Sequence, residues 1–401
     1  MKELTSFFRN VKRNEQTSPT TPQHRVKIAI IDDGLDSSLY IIDRTHCRVV
    51  AGQSFCTSYS GYIDNYYVPS GNHGTQVASI ICQICPEVDL YIARLDDQYT
   101  RSGNRVINPA SAEKAIMWAT DCGVDMICMS WTIEDSDPDG DRRFDGLGKA
   151  IDEAYKNRII MFCSASDQGG SSMVRCYPGH FKDKSIRIGS CSAFDVPSVW
   201  VNSKQVDFLL PGENIVIRNS DGTSESQTGS SFATAVAAGL GGLLLYCTLK
   251  LGTGIPPSDR NARPQYSEVA KEEEDETSSS EESGPESDAE SHETPRRGGV
   301  IRGQNGPAKP DKDEEILWDR SRMFNIINQM SVPSGKDQPL LAKPEHFLVE
   351  KIKGLLKKKG KGVVDIDKYG WDTNFQAALR KILRQLTETP SRAAFEENFR
   401  N

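Results

Sequence analysis

Short apolar runs alternate with helical patterns between residues 26 and 251, and this alternation limits the fold more than any other feature. The runs predict buried strands because they are short, continuous and rich in branched residues. They are KIAIID (27–32), DLYIARL (89–95), VDMICMSW (124–131), RIIMFCSAS (158–166) and VDFLLPG (206–212). Strands that alternate with helices indicate an α/β fold with a parallel sheet covered on both faces, in which functional groups gather at the carboxyl ends of the strands.

Two helices are predicted between these strands. The first has Asn108 as its N-cap and Pro109 in its first turn, and it ends at Gly123. One face of it carries the small and apolar residues Ala112, Ala115, Ile116 and Ala119. The second helix is predicted over residues 146–157.

Composition divides the 401 residues into five parts. We predict a flexible segment at 1–24, the α/β domain at 25–251 and a disordered acidic insert at 252–315. A helical segment at 316–360 is expected to complete the domain or pack on it, and a helical tail follows at 361–401. The formal net charge of −8 comes largely from residues 272–290, so no basic surface for nucleic acid is predicted.

The insert and the tail suggest sites for partners. Ser278, Ser279 and Ser283 each have Glu three residues downstream, a pattern that acidophilic kinases favour, so a kinase-regulated partner is one interpretation. A merely solvated linker is the alternative. In the tail, a helical stripe is formed by Phe375, Leu379, Ile382, Leu383 and Leu386. The lysines between 351 and 361 indicate either a nuclear or phosphate-binding patch or a solvated helix end.

The apolar runs and the cysteines indicate the cellular compartment of the protein and whether it binds metal. The first 25 residues lack the apolar core of a secretory signal, and we expect no run long enough to span a membrane. All ten cysteines lie between Cys47 and Cys247, as in a protein of a reducing compartment. An intracellular, most simply cytoplasmic, location is predicted, with the nucleus as an alternative. Cys82 and Cys85 form a CxxC pair without further zinc ligands, so no metal or cofactor is predicted; calcium is left open, and residues 135–141 (DSDPDGD) are expected to be solvated.

Three segments carry residues suited to nucleophilic catalysis. IIDDGLD puts Asp32 at the end of the first strand and Gly34 where the chain must turn, and GNHGTQVASII puts His73 before a helix. TGSSFATAVAAG puts Ser231 at a helix start, where free backbone N–H groups can stabilise an oxyanion. Singly, each has a structural explanation: a loop acid, a structural histidine, and a serine N-cap.

Together, IIDDGLD, NHGTQVAS and GSSFATAVAAG closely resemble the three signatures of the subtilisin family, in the same Asp, His, Ser order. The resemblance extends over about residues 25–251 and implies a three-layer subtilisin-like fold and peptide hydrolysis. Ser231 would attack, His73 would take and return the proton, and Asp32 would orient the imidazole. The segment VDMICMSWT is similar to the family's substrate-binding strand. It implies a substrate cleft formed by Ser130, Trp131, Thr132, Ala165 and Ser166.

One position departs from the family. The family supplies an Asn side chain to the oxyanion hole from a segment resembling AGNEG, but this chain has ASDQG, with Asp167 at the Asn position. We expect Asp167 and Ser231 to form the oxyanion hole. An ionised carboxylate only accepts hydrogen bonds, and loss of one such donor costs about 10²–10³ in rate. Intracellular members from filamentous fungi are similar in this respect, and the short N-terminus also points away from secreted members with a folding prodomain.

Three functions remain to be compared. The leading hypothesis is a serine endopeptidase that acts on protein or peptide substrates. The second is a pseudo-protease that binds extended peptide without cleaving it, which Asp167, Ser166 and the expected lack of a folding prodomain favour. The third is a scaffold in which the acidic insert and the lysine-rich tail do the work.

Overall fold

A computed structural model of the chain describes most of the α/β domain and parts of the C-terminal region. The described residues are 25–36, 46–57, 61–85, 87–101, 105–135, 142–169, 174–218, 223–259, 316–334, 339–343 and 373–387. The predictions for the N-terminal segment, for residues 136–141 of the acidic loop, for the serines of the insert and for the lysines of the tail lie outside these residues.

The secondary structure consists of seventeen short strands and six α-helices among the described residues. The strands are β1 (Val26–Asp32), β2 (Arg48–Ser54), β3 (Val88–Arg94), β4 (Asp97–Tyr99), β5 (Arg105–Ile107), β6 (Met126–Met129), β7 (Ile133–Asp135), β8 (Ile160–Ser164), β9 (Arg175–Tyr177), β10 (Ile186–Cys191), β11 (Phe208–Pro211), β12 (Ile215–Arg218), β13 (Ser224–Gln227), β14 (Gly254–Ile255), β15 (Ile316–Leu317), β16 (Ser331–Pro333) and β17 (Leu340–Ala342). The helices are α1 (His73–Ile84), α2 (Pro109–Asp121), α3 (Asp145–Lys156), α4 (Ser230–Lys250), α5 (Arg320–Gln329) and α6 (Thr373–Thr387).

Nine strands form the central sheet in the order β16-β17-β11-β10-β8-β6-β1-β3-β2. All neighbours are parallel except β16, which runs antiparallel to β17. Smaller two-stranded pairs join β4 to β5, β7 to β9, β12 to β13 and β14 to β15. Because the parallel strands point the same way, their carboxyl ends share one edge of the sheet.

Alternate residues of each central strand face opposite layers. In β1, Ile28 and Ile30 belong to the core beneath α1, α4, α5 and α6, whereas Ala29 and Ile31 belong to the core beneath α2 and α3. The same alternation separates Leu90 from Tyr91 in β3. Both faces of the sheet are therefore buried, which is why its strands read as continuous apolar runs. The predicted three-layer α/β fold is confirmed.

The five predicted strands and both predicted helices form. Asn108 caps α2, since its side chain accepts a hydrogen bond from the Ala110 N–H at 3.1 Å. Two further strands of the central sheet, β2 and β10, are not among the predicted strands. β2 is an edge strand with several exposed or half-buried residues, so it lacks a continuous apolar run.

Helix α4 corrects the statement that no run is long enough to span a membrane. By length and composition alone this 21-residue helix could cross one. In the structure, however, 94% of the most apolar 18-residue stretch of this helix is buried inside the protein, against the central sheet. Its small residues permit this, because the ring of Phe162 lies only 3.0 Å from where a Cβ on Gly241 would stand. Its apolar character is therefore that of a core helix.

The C-terminal elements extend the sheet and pack on it. β17 pairs parallel with β11, and β14 pairs with β15. The Trp318 side chain is fully buried, and its indole N–H donates to Thr248 Oγ1 at 2.9 Å. Residues 252–259 are ordered here, so the disorder predicted for the insert does not begin at Gly252. Residues 316–343 carry strands as well as the predicted helix. In the stripe of α6, Leu379, Ile382 and Leu383 are buried; the side chains of Phe375 and Leu386 lie outside the described set.

Candidate active site

Asp32 is the last residue of β1 and lies at the carboxyl edge of the sheet, next to the turn at Gly34. Its side chain is almost fully buried. Gly34 adopts φ +112°, and a Cβ on it would lie 2.7 Å from Tyr66 O. Only glycine fits such a position without strain. The predicted turn is therefore present, and it leads the chain away immediately after the carboxylate.

His73 begins α1 and meets Asp32 directly. Its Nδ1 lies 3.0 Å from Asp32 Oδ1 and 2.9 Å from Oδ2. This contact leaves Nε2 as the ring nitrogen that can exchange a proton with another group. The structure thus brings together two of the three residues predicted from separate segments.

Asp33 fixes the start of α1 and was not singled out in the sequence. Its carboxylate accepts hydrogen bonds from the N–H groups of His73 at 3.1 Å and Gly74 at 2.7 Å. Asn72, at the N-cap position, makes no side-chain capping hydrogen bond, so Asp33 supplies the capping acceptor from another segment. Its position directly after Asp32 in IIDDGLD was the available signal.

The charges of this pair perturb both groups. Burial alone would raise the pKa of Asp32, but the charges of His73 and Arg105 and the hydrogen bonds from His73 and the Asp33 N–H lower it to about 2. Burial lowers the pKa of His73, whereas the charge and hydrogen bond of Asp32 raise it more, so the net shift is upward. Asp32 is therefore ionised at neutral pH and favours the imidazolium of His73.

Arg105 is a further member of this group that the sequence did not reveal. Its Nη1 donates to Asp32 Oδ1 at 2.8 Å, and its Nε donates to Asp97 Oδ2 at 2.7 Å. Arg105 lies 73 residues from Asp32 in the chain and belongs to no recognisable motif. No sequence pattern could have identified it.

Ser231 is the second residue of α4, at the same end of the molecule. The ring of the next residue, Phe232, lies 5.3 Å from the ring of His73 between centroids, so the start of α4 adjoins the imidazole. The N–H groups of Phe232 and Ala233 donate to Gly229 O, whereas the N–H of Ser231 has no acceptor among the described residues. Ser231 therefore combines a half-buried hydroxyl with a free backbone donor.

Asp167 lies beside this helix start and binds it. Its Oδ2 accepts the Ser230 N–H at 2.8 Å, and its Oδ1 accepts the Ser230 hydroxyl at 2.5 Å. A Cβ on Gly229 would stand 3.3 Å from Ser231 Oγ and 3.5 Å from Asp167 Oδ2, so both atoms border one small space. Although the residue is exposed overall, desolvation of the carboxyl group raises the pKa of Asp167, and the Ser230 bonds offset part of the rise.

The residues predicted for the substrate cleft follow two adjacent strands. Ser130, Trp131 and Thr132 follow β6, while Ala165 and Ser166 follow β8, its parallel neighbour. These two segments therefore lie side by side at the carboxyl edge. The Trp131 side chain is buried and its indole N–H donates to Ile31 O at 2.7 Å, so this side chain is part of the hydrophobic core. A contact of Trp131 with peptide would have to come from its backbone.

The described residues include many potential metal ligands. No three His, Cys, Asp or Glu side chains there are grouped so that they could hold a metal ion. The CxxC cysteines are free thiols, and the Cys47 thiol lies 3.4 Å from Cys85 O. In the acidic loop, Asp135 is buried and lies 3.9 Å from Arg175 Nε, so the expectation of a solvated loop is wrong at this residue. The other residues of the loop, 136–141, lie outside the described residues.

Comparison with known proteins agrees with this geometry. The profile of the Subtilase family matches residues 23–249. Subtilisin DY of Bacillus licheniformis is 27% identical over 232 residues, which cover 55% of this chain and 76% of that protein. The major intracellular serine protease of Bacillus subtilis (strain 168) is 26% identical, covering 59% of this chain and 73% of that protein.

Other relatives are matched over less of their length. Subtilisin amylosacchariticus of Bacillus subtilis subsp. amylosacchariticus is 29% identical over 234 residues, 55% of each protein. The chain thus spans about half the length of some of the relatives that it matches. The family profile nevertheless covers more than half of the chain and includes Asp32, His73 and Ser231. This chain belongs to the Subtilase family.

Proposed function

We propose that this protein is a serine endopeptidase that hydrolyses peptide bonds through an acyl-enzyme. The observation that carries the proposal is the 2.9 Å contact between His73 Nδ1 and Asp32 Oδ2, at the edge where α4 presents Ser231. A buried carboxylate paired with a histidine beside a helix-start serine is the arrangement of an activated nucleophile. The subtilisins among the relatives support the same reaction class.

The chemistry assigns one task to each residue. Ser231 Oγ forms a bond to the scissile carbonyl carbon while His73 Nε2 takes the hydroxyl proton. The tetrahedral intermediate then breaks its C–N bond, and His73 returns the proton to the leaving amine. A water molecule, deprotonated by His73, then attacks the ester carbon. The C–O bond to Ser231 breaks, His73 returns the proton to Ser231 Oγ, and the peptide leaves with a new carboxyl terminus. Asp32 keeps the imidazole oriented and stabilises its charged form throughout.

Asp167 and the Ser231 N–H form the oxyanion hole in this proposal. The backbone N–H is a fixed donor in every protonation state. Asp167 donates only when protonated, and its raised pKa favours that form over a wider range than for an ordinary carboxyl group. The ionised form would repel the developing oxyanion. Turnover is therefore slower than with an amide at this position.

The substrate is a protein or peptide bound as an extended strand beside the segments that follow β6 and β8. We extend the intracellular location to this chain because relatives named as intracellular serine proteases match it. Similarity to fungal members with Asp at this position is part of the same proposal, and Asp167 is its support. Nuclear location and a kinase-regulated partner remain proposals that rest on the sequence alone.

A second function, peptide binding without cleavage, is favoured by Asp167 and Ser166 in the segment ASDQG. One experiment separates the two: a fluorophosphonate probe is added to the wild type and to Ser231→Ala between pH 5 and 9. Labelling of the wild type that is lost in the variant supports the endopeptidase. Absence of labelling across this range, with the fold intact by circular dichroism, would leave the binding function. Deletion of 261–314 in the same assay tests whether the insert is needed.

A further inference from the structure

Arg105 joins two buried carboxylates behind the candidate triad. Its Nη1 lies 2.8 Å from Asp32 Oδ1, and its Nε lies 2.7 Å from Asp97 Oδ2. The Asp97 side chain is fully buried and that of Asp32 nearly so. Each carboxylate thus receives a charge-assisted hydrogen bond from one guanidinium group, which is the strong form of this interaction.

The guanidinium group is held from both sides. Arg105 and Tyr99 are paired at the end of the β4–β5 hairpin where the chain connects the two strands, and Asp97 on the opposite strand accepts a second hydrogen bond from the Ser70 hydroxyl at 2.7 Å. A third nitrogen, Nη2, is buried with no acceptor among the described residues. A buried donor without a partner is unfavourable, so the position of this cation depends on its two carboxylates.

We propose that Arg105 is a positioning residue for His73: it fixes the Asp32 carboxylate and neutralises part of its charge, so that the imidazolium is stabilised less than by an unpaired carboxylate. The inference rests on the proposed function, in which His73 must be neutral to accept the proton of Ser231. Arg105 thereby extends to lower pH the range in which His73 is neutral and can accept this proton.

The charges around His73 support this assignment. Asp32 and Asp33 face it from the end of β1 and favour its charged form, whereas Arg105 opposes that form. Asp97 forms an ion pair with the same guanidinium group and so offsets part of its positive charge. Burial lowers the pKa of His73, Asp32 raises it, and Arg105 lowers it. Removal of Arg105 would therefore leave Asp32 free to hold the imidazolium more strongly.

The test is an NMR titration of the His73 ring in the full-length, ¹³C-histidine-labelled protein, with the signal assigned by its loss in His73→Gln. In Arg105→Met the titration midpoint is expected to move to higher pH, and in Arg105→Lys to stay near that of the wild type. In Asp97→Asn it should move to lower pH, because Arg105 then acts on Asp32 alone. With a peptide substrate, kcat/KM of Arg105→Met at pH 6 should fall roughly three- to tenfold and change little at pH 9.

Arg187→Met is the matched control. The Arg187 side chain is 15% exposed, against 16% for Arg105. It pairs with Asp207 at the amino-terminal ends of β10 and β11, away from the carboxyl ends where Asp32 lies. Its loss should destabilise the protein similarly without moving the His73 midpoint. An unchanged or lowered midpoint in Arg105→Met would overturn the inference. If that variant does not fold, an unchanged midpoint in Asp97→Asn overturns it. Because NMR needs no turnover, failure of the proposed function is recognised separately, by absence of fluorophosphonate labelling in the wild type.

Discussion

Asp167 binds Ser230 twice, through the backbone N–H at 2.8 Å and the hydroxyl at 2.5 Å. Ser230 precedes the candidate nucleophile, so the carboxylate anchors the helix start that carries Ser231. Carboxylates are favourable at this end of a helix because of its unsatisfied N–H groups. In the proposed mechanism Asp167 stands where the family supplies an amide donor, whereas in the structure it stabilises the helix start. The two tasks compete for the same two oxygen atoms.

Asp167→Asn is expected to raise turnover because the amide can donate to the oxyanion while its oxygen still accepts the Ser230 N–H. The gain should approach about 10²–10³ at alkaline pH, where the wild-type carboxylate is ionised, and shrink towards acid. The measurement is kcat as a function of pH for the wild type, Asp167→Asn and Asp167→Ala. Asp167→Ala serves as the control that removes the carboxylate without adding a donor. Unchanged kinetics in Asp167→Asn would contradict the prediction.

The acid limb of kcat/KM should lie above the ordinary range of an imidazole. Burial lowers the pKa of His73, but Asp32 raises it further, so the neutral base is formed only at higher pH. Asp32→Asn should shift this limb to lower pH and reduce kcat roughly 10⁴-fold, since the wrong tautomer is then favoured. A profile from pH 5 to 10 measures both effects. An acid limb in the wild type below that of a free imidazole would refute the electrostatic account.

The sequence revealed the parts of the site that follow apolar strands or begin helices. Asp32 ends a buried run, and Ser231 opens a helix of small residues, so both positions follow from local patterns. Arg105 could not be found this way, because its role depends on a hairpin that returns a distant residue to Asp32. The capping of α1 by Asp33 likewise connects two segments that only tertiary structure brings together.

The central sheet was predicted where its strands are buried on both faces. β2 and β10 were missed because polar residues interrupt their apolar runs, as in RVVAGQS and IRIGSC. β16 and β17 have three residues each, which is too short for any period to be recognised. Their pairing depends on the neighbouring edge of β11, a feature that the local sequence does not contain.

Gly34→Ala should destabilise the protein more than Gly61→Ala. Both glycines have positive φ, +112° and +83°, so each substitution introduces backbone strain of about 1 kcal/mol. At Gly34 the added Cβ would also lie 2.7 Å from Tyr66 O, which should add roughly 1–3 kcal/mol, whereas nothing lies within 4 Å of it at Gly61. Urea unfolding of both variants measures the difference in free energy. Equal losses of unfolding free energy in the two variants would show that the turn at Gly34 can shift to accommodate the added Cβ.

Trp318→Phe tests whether the C-terminal elements contribute to the stability of the domain. The Trp318 ring is fully buried, and its N–H donates to the buried Thr248 hydroxyl near the end of α4. Phenylalanine keeps most of the ring but leaves Thr248 Oγ1 without this donor, a loss of about 1–2 kcal/mol, and Trp318→Ala should cost about 3–5 kcal/mol.

The control for Trp318 is Trp118→Phe, because Trp118 is only half-buried, on α2 at the opposite face of the sheet. Urea unfolding followed by circular dichroism should give one transition that moves to lower urea in the Trp318 variants. If residues 316–343 were a separate appendage, Trp318→Ala would leave the main transition where it is in the wild type. A single shifted transition would instead mean that α4, which carries Ser231 at its other end, is stabilised by residues beyond the insert.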